Sequence, residues 1–337
     1  MRTILVTGGA GFIGANFVRM LLDEETDVRV VNLDKLTYAG NLGNLAGYED
    51  HPRHRFVRGD ICDAGLVARL LDEEGCDAIV NFAAESHVDR SLVDPGTFIN
   101  TNVTGTMVLL KAALDRKLER FLQVSTDEVY GSLGATGSFT ESSQIQPNSP
   151  YSASKAAADH LVHAFAHTFG LRVNITRCSN NYGPFQFPEK LIPLMINNAL
   201  HDRPLPVYGD GMQVRDWLYV LDHCRAIWTV LNEAAPGAMY NVGGCNEKAN
   251  LEVIRVILDA VGKDASLITY VVDRPGHDRR YAIDASHIME DLGWAPSVTF
   301  EAGMRRTIDW YLGNRPWLDA VTSGDYQTYY DEMYRDR

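Results

Sequence analysis

The part of the sequence that most constrains the fold is the beginning, where a short apolar run leads into a glycine-rich turn. The run 3–7 (TILVT) is typical of a buried strand. Gly8, Gly11 and Gly14 follow it, and the amphipathic stretch 15–22 predicts a helix. Glycine at such positions allows a tight turn, so that backbone N–H groups can approach a phosphate at the helix N-terminus. The sequence therefore predicts a strand–turn–helix unit that binds a dinucleotide.

A second apolar run, 28–33, ends at Asp34, which lies 20 residues after Gly14. A carboxylate there can accept hydrogen bonds from the ribose hydroxyls of an adenosine, and its charge repels the 2′-phosphate of NADP. Asp34 thus favours NAD, although the neighbouring Lys35 would attract a phosphate. A glycine-rich turn without a ligand is the alternative. The order of strand, helix, second strand and terminal acid favours the dinucleotide site.

Apolar and amphipathic runs continue to alternate through the first half of the chain. Further strands are predicted at 55–58, 78–82, 120–124 and 172–176, and helices at 64–74, 98–114 and 153–169. This alternation predicts an α/β fold with a Rossmann-type, doubly wound parallel sheet, whose ligands lie at the carboxyl ends of the strands.

The pattern changes after residue 180, where prolines become frequent. Helices are predicted in this half at 192–200, 221–233, 251–260 and 302–312. We therefore expect an NAD-binding Rossmann domain over 1–180, with some segments returning from the second half. A smaller, C-terminal substrate-binding domain is expected over 181–337.

Composition and charge limit the classes of function. The chain has 337 residues, 45% of them hydrophobic, which is enough for one large or two coupled domains. Its formal net charge of −13 argues against nucleic acid as a partner. No apolar run approaches the length of a membrane span, and we expect no signal peptide because the first strand begins at residue 3. Neither the cysteines nor the histidines have metal-binding spacing, so we expect a cytoplasmic protein with reduced thiols and no metal.

Two short segments carry residue types suited to chemistry on an alcohol. In the first, Tyr151 and Lys155 are four residues apart and so lie on one face of a helix. A tyrosine has an ordinary pKa of about 10, and a lysine one turn away would stabilise the phenolate that accepts a hydroxyl proton. The same spacing arises by chance in surface pairs. Its place within a half of the chain that is already predicted to bind a nucleotide favours the catalytic interpretation.

The second segment is Thr126-Asp127-Glu128, which follows the predicted fifth strand. Adjacent carboxyl groups tend to differ in pKa because like charges oppose double ionisation, so one can act as an acid and the other as a base. An alcohol dehydrogenase needs no such pair, whereas the elimination of water does. A solvated acidic loop is the alternative, and the position directly after a strand argues against it.

These segments resemble those of the extended short-chain dehydrogenase/reductases, and most closely those of the dTDP-glucose 4,6-dehydratases. The resemblance covers nearly the whole chain. The glycine motif and the Tyr-x-x-x-Lys spacing identify only the superfamily. The Thr-Asp-Glu segment and the motifs at 187–193 and 274–281 are more specific to the dehydratases, and the motifs at 83–91 and 180–184 also match.

The resemblance implies that dTDP-glucose is converted into dTDP-4-keto-6-deoxyglucose and water by an NAD-dependent hydro-lyase. Tyr151, with Lys155 and Thr126, would remove the proton of the 4-hydroxyl while hydride passes from C4 to NAD. The 4-ketone acidifies the hydrogen on C5, which Glu128 would remove while Asp127 protonates the departing 6-hydroxyl. The hydride then returns to C6, so that NAD is regenerated.

The resemblance also implies the residues that contact the cofactor and the substrate. Cofactor-binding residues are expected at Gly8, Gly11, Phe12, Ile13, Gly14, Asp34, Lys35, Leu36, Thr37, Asp60, Ile61, Phe82, Ala83, Ala84, Ser86, Thr101, Tyr151, Lys155 and Asn181. Substrate-binding residues are expected at Ser86, His87, Thr126, Asn180, Lys190, Leu191, Pro206, Tyr208, Arg215, Asn250, Arg274 and His277. For Arg215 and Arg274 a solvated surface charge is the alternative.

Other functions and the assembly are also open to prediction at this point. The alternatives are a UDP-sugar 4,6-dehydratase, a UDP-glucuronate decarboxylase or a 4-epimerase of the same family, and a non-catalytic dinucleotide sensor. The sensor is disfavoured because both Tyr151 and Lys155 are present. The resemblance implies a homodimer that pairs the helices at about 98–115 and 153–169 with their copies, and no nucleic acid or membrane partner.

Overall fold

The computed structural model describes residues 1–273, 276–323 and 326. The β-strands in chain order are β1 (Arg2–Thr7), β2 (Val28–Asp34), β3 (His54–Arg58), β4 (Ala78–Asn81), β5 (Arg120–Thr126), β6 (Val173–Cys178), β7 (Asn180–Tyr182), β8 (Leu205–Tyr208), β9 (Val214–Tyr219), β10 (Met239–Val242), β11 (Glu247–Ala249) and β12 (Ile268–Val271). The α-helices are α1 (Phe12–Glu24), α2 (Ala64–Glu74), α3 (Val88–Val93), α4 (Pro95–Phe98), α5 (Thr106–Asp115), α6 (Pro150–Phe169), α7 (Leu191–Leu200), α8 (Val220–Glu233), α9 (Asn250–Val261), α10 (Ser286–Leu292), α11 (Phe300–Gly313) and α12 (Arg315–Val321).

Seven of these strands form one parallel sheet in the order β10-β6-β5-β4-β1-β2-β3. The chain starts at β1, moves to one edge through β2 and β3, and then crosses to the other side of β1 to build the rest. The winding therefore reverses between β1 and β4, and the carboxyl ends of these two strands open a crevice. This confirms the predicted Rossmann-type, doubly wound sheet.

The strands are apolar because helices cover both faces of the sheet. Successive side chains of β1 point to opposite faces, so Ile4 packs in one hydrophobic core and Leu5 in another. The first core includes residues of α1 and α8, and the second includes residues of α2, α5 and α6. This two-sided burial fixes the sheet, and with it the ends of the strands that form the crevice.

One strand of the sheet comes from a segment where the sequence predicted none. β10 pairs in parallel with β6, with Asn241 opposite Arg177. The strand has only four residues (MYNV), which is too short for a clear periodic signal. Residues 239–242 thus join the sheet formed by the first half, while the division of the chain at residue 180 stays a prediction.

The second half also forms two small sheets, β11-β9-β7 and β12-β8. Its helices α7, α9 and α11 enclose a separate core, with the following fully or nearly buried members: Met195, Trp217, Ile254, Phe300 and Tyr311. Because β7 begins two residues after the end of β6 and pairs with β9, this layer supplies the second wall of the site described below.

The helix predicted over 98–114 is interrupted. After α4 the chain forms a π-helical turn at Ile99–Gly105 and continues as α5. Asn102 lies in this turn, where its side chain accepts a hydrogen bond from the Glu85 N–H and donates to the Ser154 hydroxyl. These bonds tie the turn to α6 and to the loop after β4, which is a local reason for the irregular geometry.

Three features of the described residues bear on the class of protein. No helix in this part of the chain is both long and apolar enough to cross a bilayer. All five cysteines are free thiols. Among the residues that the structure describes, no group of three or more His, Cys, Asp or Glu side chains could hold a metal ion.

Candidate active site

The glycine-rich turn brings the backbone of β1 close to the end of β4. Gly8 has φ of 72°, and a Cβ on it would lie 2.6 Å from the Ala83 nitrogen. A Cβ on Gly14 would lie 2.3 Å from the Gly8 carbonyl oxygen. Helix α1 begins directly after Gly11, and no side chain caps its N-terminus. The first N–H groups of α1 therefore point into a narrow cradle that suits a phosphate.

Asp34 lies at the end of β2 beside this cradle. It is 8% exposed, and its carboxylate accepts hydrogen bonds from the N–H groups of Ala10 at 2.9 Å and Leu36 at 2.8 Å. Burial raises the pKa of Asp34, and these two bonds oppose the rise. Each carboxylate oxygen can accept a second hydrogen bond, so the ribose hydroxyls of a nucleotide can still bind.

Lys35, whose positive charge could attract the 2′-phosphate of NADP, is paired with an acid. Its ammonium lies 2.8 Å from the Asp60 carboxylate. Burial acts to raise the pKa of Asp60, but the hydrogen bonds with Lys35 and Cys62 and the charge of Lys35 together lower it. This ion pair partly neutralises the cation that follows Asp34 in the chain, and so favours NAD over NADP at this position.

The predicted cofactor residues come together in one cleft at the carboxyl ends of the strands. Those that line it are Gly8, Gly11, Phe12, Ile13, Gly14, Asp34, Lys35, Thr37, Asp60, Ile61, Phe82, Ala83, Ala84, Ser86, Thr101, Tyr151, Lys155 and Asn181. Leu36 is the member of the predicted set that does not line the cleft. It has a left-handed backbone with φ of 56°, and its N–H is used by Asp34.

The Thr126-Asp127-Glu128 segment lies where β5 passes into a 3₁₀ turn, Asp127–Tyr130. The Thr126 hydroxyl accepts from the Glu128 N–H at 3.2 Å and caps the turn. The strand therefore extends two residues beyond the predicted 120–124 and includes Thr126. This arrangement turns the two carboxyl groups into the cleft in fixed positions.

The two carboxyl groups have unlike surroundings. Asp127 is 2% exposed, and its Oδ2 atom is buried without a hydrogen-bond partner. Burial, followed by the charges of Glu128 and Asp216, raises the pKa of Asp127 well above its usual value. Glu128 is only partly buried and lines both clefts of the site. Asp127 is thus suited to the role of an acid and Glu128 to that of a base.

Tyr151 and Lys155 lie in the first two turns of α6. A capping box formed by Ser149 and Ser152 fixes the start of this helix. The Lys155 ammonium donates to the Val124 carbonyl at 2.7 Å. Burial lowers the pKa of Lys155, and the charge of Asp159 opposes that change.

The environment of Tyr151 differs from the one expected. Burial and then the charge of Glu128 raise the pKa of Tyr151 well above its usual value, while a hydrogen bond with Thr126 opposes the rise. The sequence-based argument expected Lys155 to lower the pKa of Tyr151 by stabilising the phenolate. In this structure burial has the larger effect, and the pKa is raised. The geometry still places the phenol, the lysine and the two carboxyl groups around one cleft.

A second cleft adjoins the first and contains most of the predicted substrate residues. Those that line it are His87, Asn180, Lys190, Leu191, Pro206, Tyr208, Arg215, Asn250 and His277. Ser86 and Thr126 line the first cleft, and Asn180 and Lys190 line both. Arg274 lies outside the described residues. Glu128 stands at the junction, which puts the predicted base within reach of ligands in either cleft.

Arg215 is the buried cation of the second cleft. It is 5% exposed, and its guanidinium donates to the carbonyls of Val214 at 2.8 Å and Asp278 at 2.9 Å. The guanidinium also lies 4.4 Å from the centre of the Tyr281 ring. A guanidinium oriented in this way can bind a diphosphate with two parallel hydrogen bonds. The surface-charge alternative is therefore wrong for Arg215.

Several residues that line the clefts were absent from the sequence-based list. They include Glu85, Gln186 and Phe187 in the first cleft, Trp217 and Tyr281 in the second, and Glu189 in both. Glu85, Phe187, Glu189 and Tyr281 fall within motifs that carried the family resemblance, so those motifs could have pointed to them. Trp217 has no such signal, because its place in the cleft depends on the pairing of β9 with β7 and β11.

Comparison with known proteins gives close relatives over nearly the full chain. The family described as GDP-mannose 4,6 dehydratase matches residues 5–307. The dTDP-glucose 4,6-dehydratase of Xanthomonas campestris pv. campestris (strain B100) is 59% identical, and the match covers 97% of this chain and 98% of that relative. The dTDP-glucose 4,6-dehydratase of Escherichia coli (strain K12) is 52% identical, with 99% of each chain covered.

Solved structures agree with the sequence comparison. The dTDP-glucose 4,6-dehydratase of Streptomyces venezuelae, crystallised with NAD, superposes with a TM-score of 0.92 at 52% identity, covering 95% of this chain and 99% of that one. The UDP-glucose 4-epimerase of Thermotoga maritima reaches a TM-score of 0.87 but only 27% identity, covering 93% and 99%. The chain therefore belongs to the dTDP-glucose 4,6-dehydratases, within the wider family described as GDP-mannose 4,6 dehydratase.

Proposed function

We propose that this chain converts dTDP-glucose into dTDP-4-keto-6-deoxyglucose and water. The observation that carries the proposal is the Asp127–Glu128 pair, whose carboxyl groups lie in unlike surroundings: Asp127 is buried beside the first cleft, and Glu128 lies at the junction of the two clefts. An enzyme that only oxidises or epimerises an alcohol has no use for a second, protonated carboxyl group. The names of the 50–59% identical relatives support the same reaction.

NAD is the cofactor that fits the first cleft. The N-terminus of α1 and the glycine cradle would hold its pyrophosphate, and Asp34 would accept hydrogen bonds from its adenosine ribose. When bound, NAD accepts a hydride from the sugar and later gives it back, so it is not consumed. Crystals of the relatives from Streptomyces venezuelae and Bacillus anthracis contain NAD, which supports this choice.

Tyr151 would act on the 4-hydroxyl of the sugar. Because burial and Glu128 raise its pKa, its phenolate is a strong base once formed, and so is matched to an alcohol proton. Thr126 bonds the phenol and so favours its ionised form. Lys155 lies one helical turn away, where its charge would stabilise a phenolate. Asp159 helps to keep Lys155 protonated against burial.

Glu128 and Asp127 would then carry out the elimination. Glu128 takes the proton from C5, which the 4-ketone has made acidic, and Asp127 gives its proton to the departing 6-hydroxyl. The bond between C6 and that oxygen breaks as the double bond between C5 and C6 forms, so water leaves. The burial that raises the pKa of Asp127 favours its protonated form, so a proton is available for the departing oxygen.

Isotope tracing tests the whole reaction. Deuterium placed at C4 of dTDP-glucose is expected in the new C6 methyl group, because the hydrogen is carried within a closed site. In D2O the product is expected to gain deuterium at C5, where Glu128 exchanges the proton. Loss of the C4 label to solvent would contradict the proposal. UDP-glucose and UDP-glucuronate are assayed in parallel. A product of UDP-glucose that keeps its 6-hydroxyl would indicate an epimerase, and loss of C6 from UDP-glucuronate as carbon dioxide would indicate a decarboxylase.

We also propose that the chain acts as a homodimer through the faces of α5 and α6. Three apolar side chains on or next to these helices are exposed: Ile99 by 50%, Met107 by 44% and Phe169 by 55%. The apolar Leu109, Leu110 and Val162 of the same two helices are fully buried in the core of the subunit and so are not part of this face. A cytoplasmic location likewise stays a prediction.

A further inference from the structure

A buried polar network lies behind the catalytic residues, on the side away from the clefts. Its centre is Arg177 on β6, whose guanidinium Nε donates to Asp159 of α6 at 2.9 Å. The Nη1 atom of Arg177 donates to the Tyr130 hydroxyl at 3.0 Å. That hydroxyl in turn donates to Asn241 of β10 at 2.8 Å. All four side chains are buried.

The network joins the two segments that carry the catalytic groups. Asp159 follows Lys155 by one helical turn, on the same face of α6 as Tyr151 and Lys155. Tyr130 closes the short 3₁₀ turn that begins at Asp127, so it lies two residues after Glu128. Arg177 stands between them in the central sheet, where it is the parallel partner of Ser125 in β5.

Stability alone is a weak reason for such an arrangement. The side chains of Arg177 and Asp159 are 6% and 2% exposed, and a buried ion pair often contributes no more stability than apolar residues of the same size. A bond network of fixed geometry can instead hold two elements in one relative position. Tyr130 is further fixed by stacking on Phe139, with ring centres 5.0 Å apart.

We propose that Arg177 is a positioning residue that sets the separation between the elimination pair and the alcohol base. Its bond to Tyr130 holds the Asp127–Glu128 turn, and its ion pair with Asp159 holds α6 with Tyr151 and Lys155. The sugar must meet both sets of groups without leaving the site, so their spacing decides whether the oxidised sugar goes on to lose water. This inference rests on the proposed function.

The network makes a specific prediction for Tyr130→Phe. This change keeps the ring that stacks on Phe139 but removes the hydroxyl that Arg177 and Asn241 share. Oxidation at C4 is expected to stay within about threefold of the unaltered protein, whereas loss of water slows by about ten- to a hundredfold. Reduced cofactor should therefore accumulate in a single turnover, and the exchange of the C5 hydrogen with D2O should slow to the same degree.

Asp159→Asn tests the other arm of the network. It keeps the shape of the side chain but removes the negative charge beside Lys155. We expect slower oxidation at C4 without accumulation of reduced cofactor, the opposite pattern to Tyr130→Phe. The new asparagine would keep a side-chain oxygen that can accept the hydrogen bond from Arg177 Nε. Arg177→Met would remove both arms of the network at once and leave Asp159 with no donor in their place, so it is avoided.

Tyr240→Phe is the matched control. It removes another buried tyrosine hydroxyl, one bonded to Asp291 and outside the clefts. A variant that is only less stable has a smaller folded fraction. The rates of C4 oxidation and of water loss then fall equally, and their ratio is unchanged. If Tyr130→Phe changes the ratio of the two rates no more than Tyr240→Phe does, the inference is wrong. If the unaltered protein makes no 4-keto-6-deoxy product, the proposed function itself has failed.

Discussion

At the scale of single residues, the active site depends on how burial changes acids and bases that are ordinary in sequence. Asp127 and Glu128 are neighbours in the chain, yet Asp127 is buried, which raises its pKa, whereas Glu128 is partly exposed. The sequence showed that the pair exists and suggested a division of roles. It could not show the large effect of burial on Tyr151, because that depends on Val88 and Phe98 packing around the ring.

The division of roles predicts different behaviour for two variants. Glu128→Gln should still allow oxidation at C4 but slow the removal of the C5 proton by about a hundredfold or more. Tyr151→Phe should block the first step. Single-turnover absorbance should then show reduced cofactor accumulating in Glu128→Gln and none in Tyr151→Phe. The same trace from both variants would contradict the assignment.

The raised pKa of Asp127 also predicts a cost in stability. The folded state binds this proton more tightly than the unfolded state. The stabilisation that comes from the bound proton is therefore complete below the unfolded-state pKa of Asp127 and is lost as the pH rises through its folded-state pKa. Asp127→Asn does not titrate. Its free energy of unfolding should therefore exceed that of the unaltered protein by about 1–2 kcal/mol at neutral pH.

Urea unfolding at several pH values measures this difference, which should grow as pH rises and vanish in acid. The exposed Asp50→Asn is the control and should show no such trend. Asp127→Asn should also lose dehydratase activity. A gap that shrinks with rising pH would mean that Asp127 is ionised in the folded protein.

At the scale of elements, the accuracy of the sequence-based prediction follows the strength of local signals. Helix α2 was predicted at 64–74 and has those bounds, because Asp63 caps its start and Gly75 ends it in a left-handed conformation. The short β10 and the π-helical turn were missed, since tertiary contacts decide both. Tyr130 and Arg177 bond across 47 residues of sequence, so no local pattern could have joined them.

The glycine turn predicts the effect of a single methyl group. In Gly8→Ala the new Cβ would collide with the Ala83 backbone at 2.6 Å, in a backbone conformation with φ of 72° that alanine rarely adopts. We expect a loss of about 1–3 kcal/mol in stability and a loss of retained cofactor. The unaltered protein should release about one NAD per chain on denaturation.

Gly47→Ala separates strain from close approach. Gly47 also has positive φ, of 86°, but a Cβ there would meet nothing within 4 Å. That variant should lose some stability and keep its cofactor. Recovery of NADP from the unaltered protein would contradict the argument that Asp34 selects NAD. Full retention of NAD by Gly8→Ala would contradict the argument that the glycine turn holds the cofactor.

At the scale of the whole molecule, both clefts are formed within one subunit, so a dimer would support the site by holding its scaffold. Helix α6 carries Tyr151 and Lys155 on its buried side, and α5 packs beside it against the sheet. The outer sides of these helices expose Met107 and Phe169. Pairing of these faces between two copies would bury them and stiffen α6.

Met107→Glu tests this assembly. A glutamate at the centre of an apolar interface would lose its hydration without gaining a partner, so the dimer should dissociate, with a weakening of about 2–5 kcal/mol. Light scattering at micromolar concentration should find a dimer for the unaltered protein and a monomer for Met107→Glu. Val256→Glu on α9, where the valine is 36% exposed, is the matched control and should stay dimeric.

A monomer in the unaltered protein would refute the homodimer, and a dimer in Met107→Glu would move the interface to another face. Because α6 positions the alcohol base, the monomer should also oxidise C4 more slowly, in proportion to the dissociated fraction.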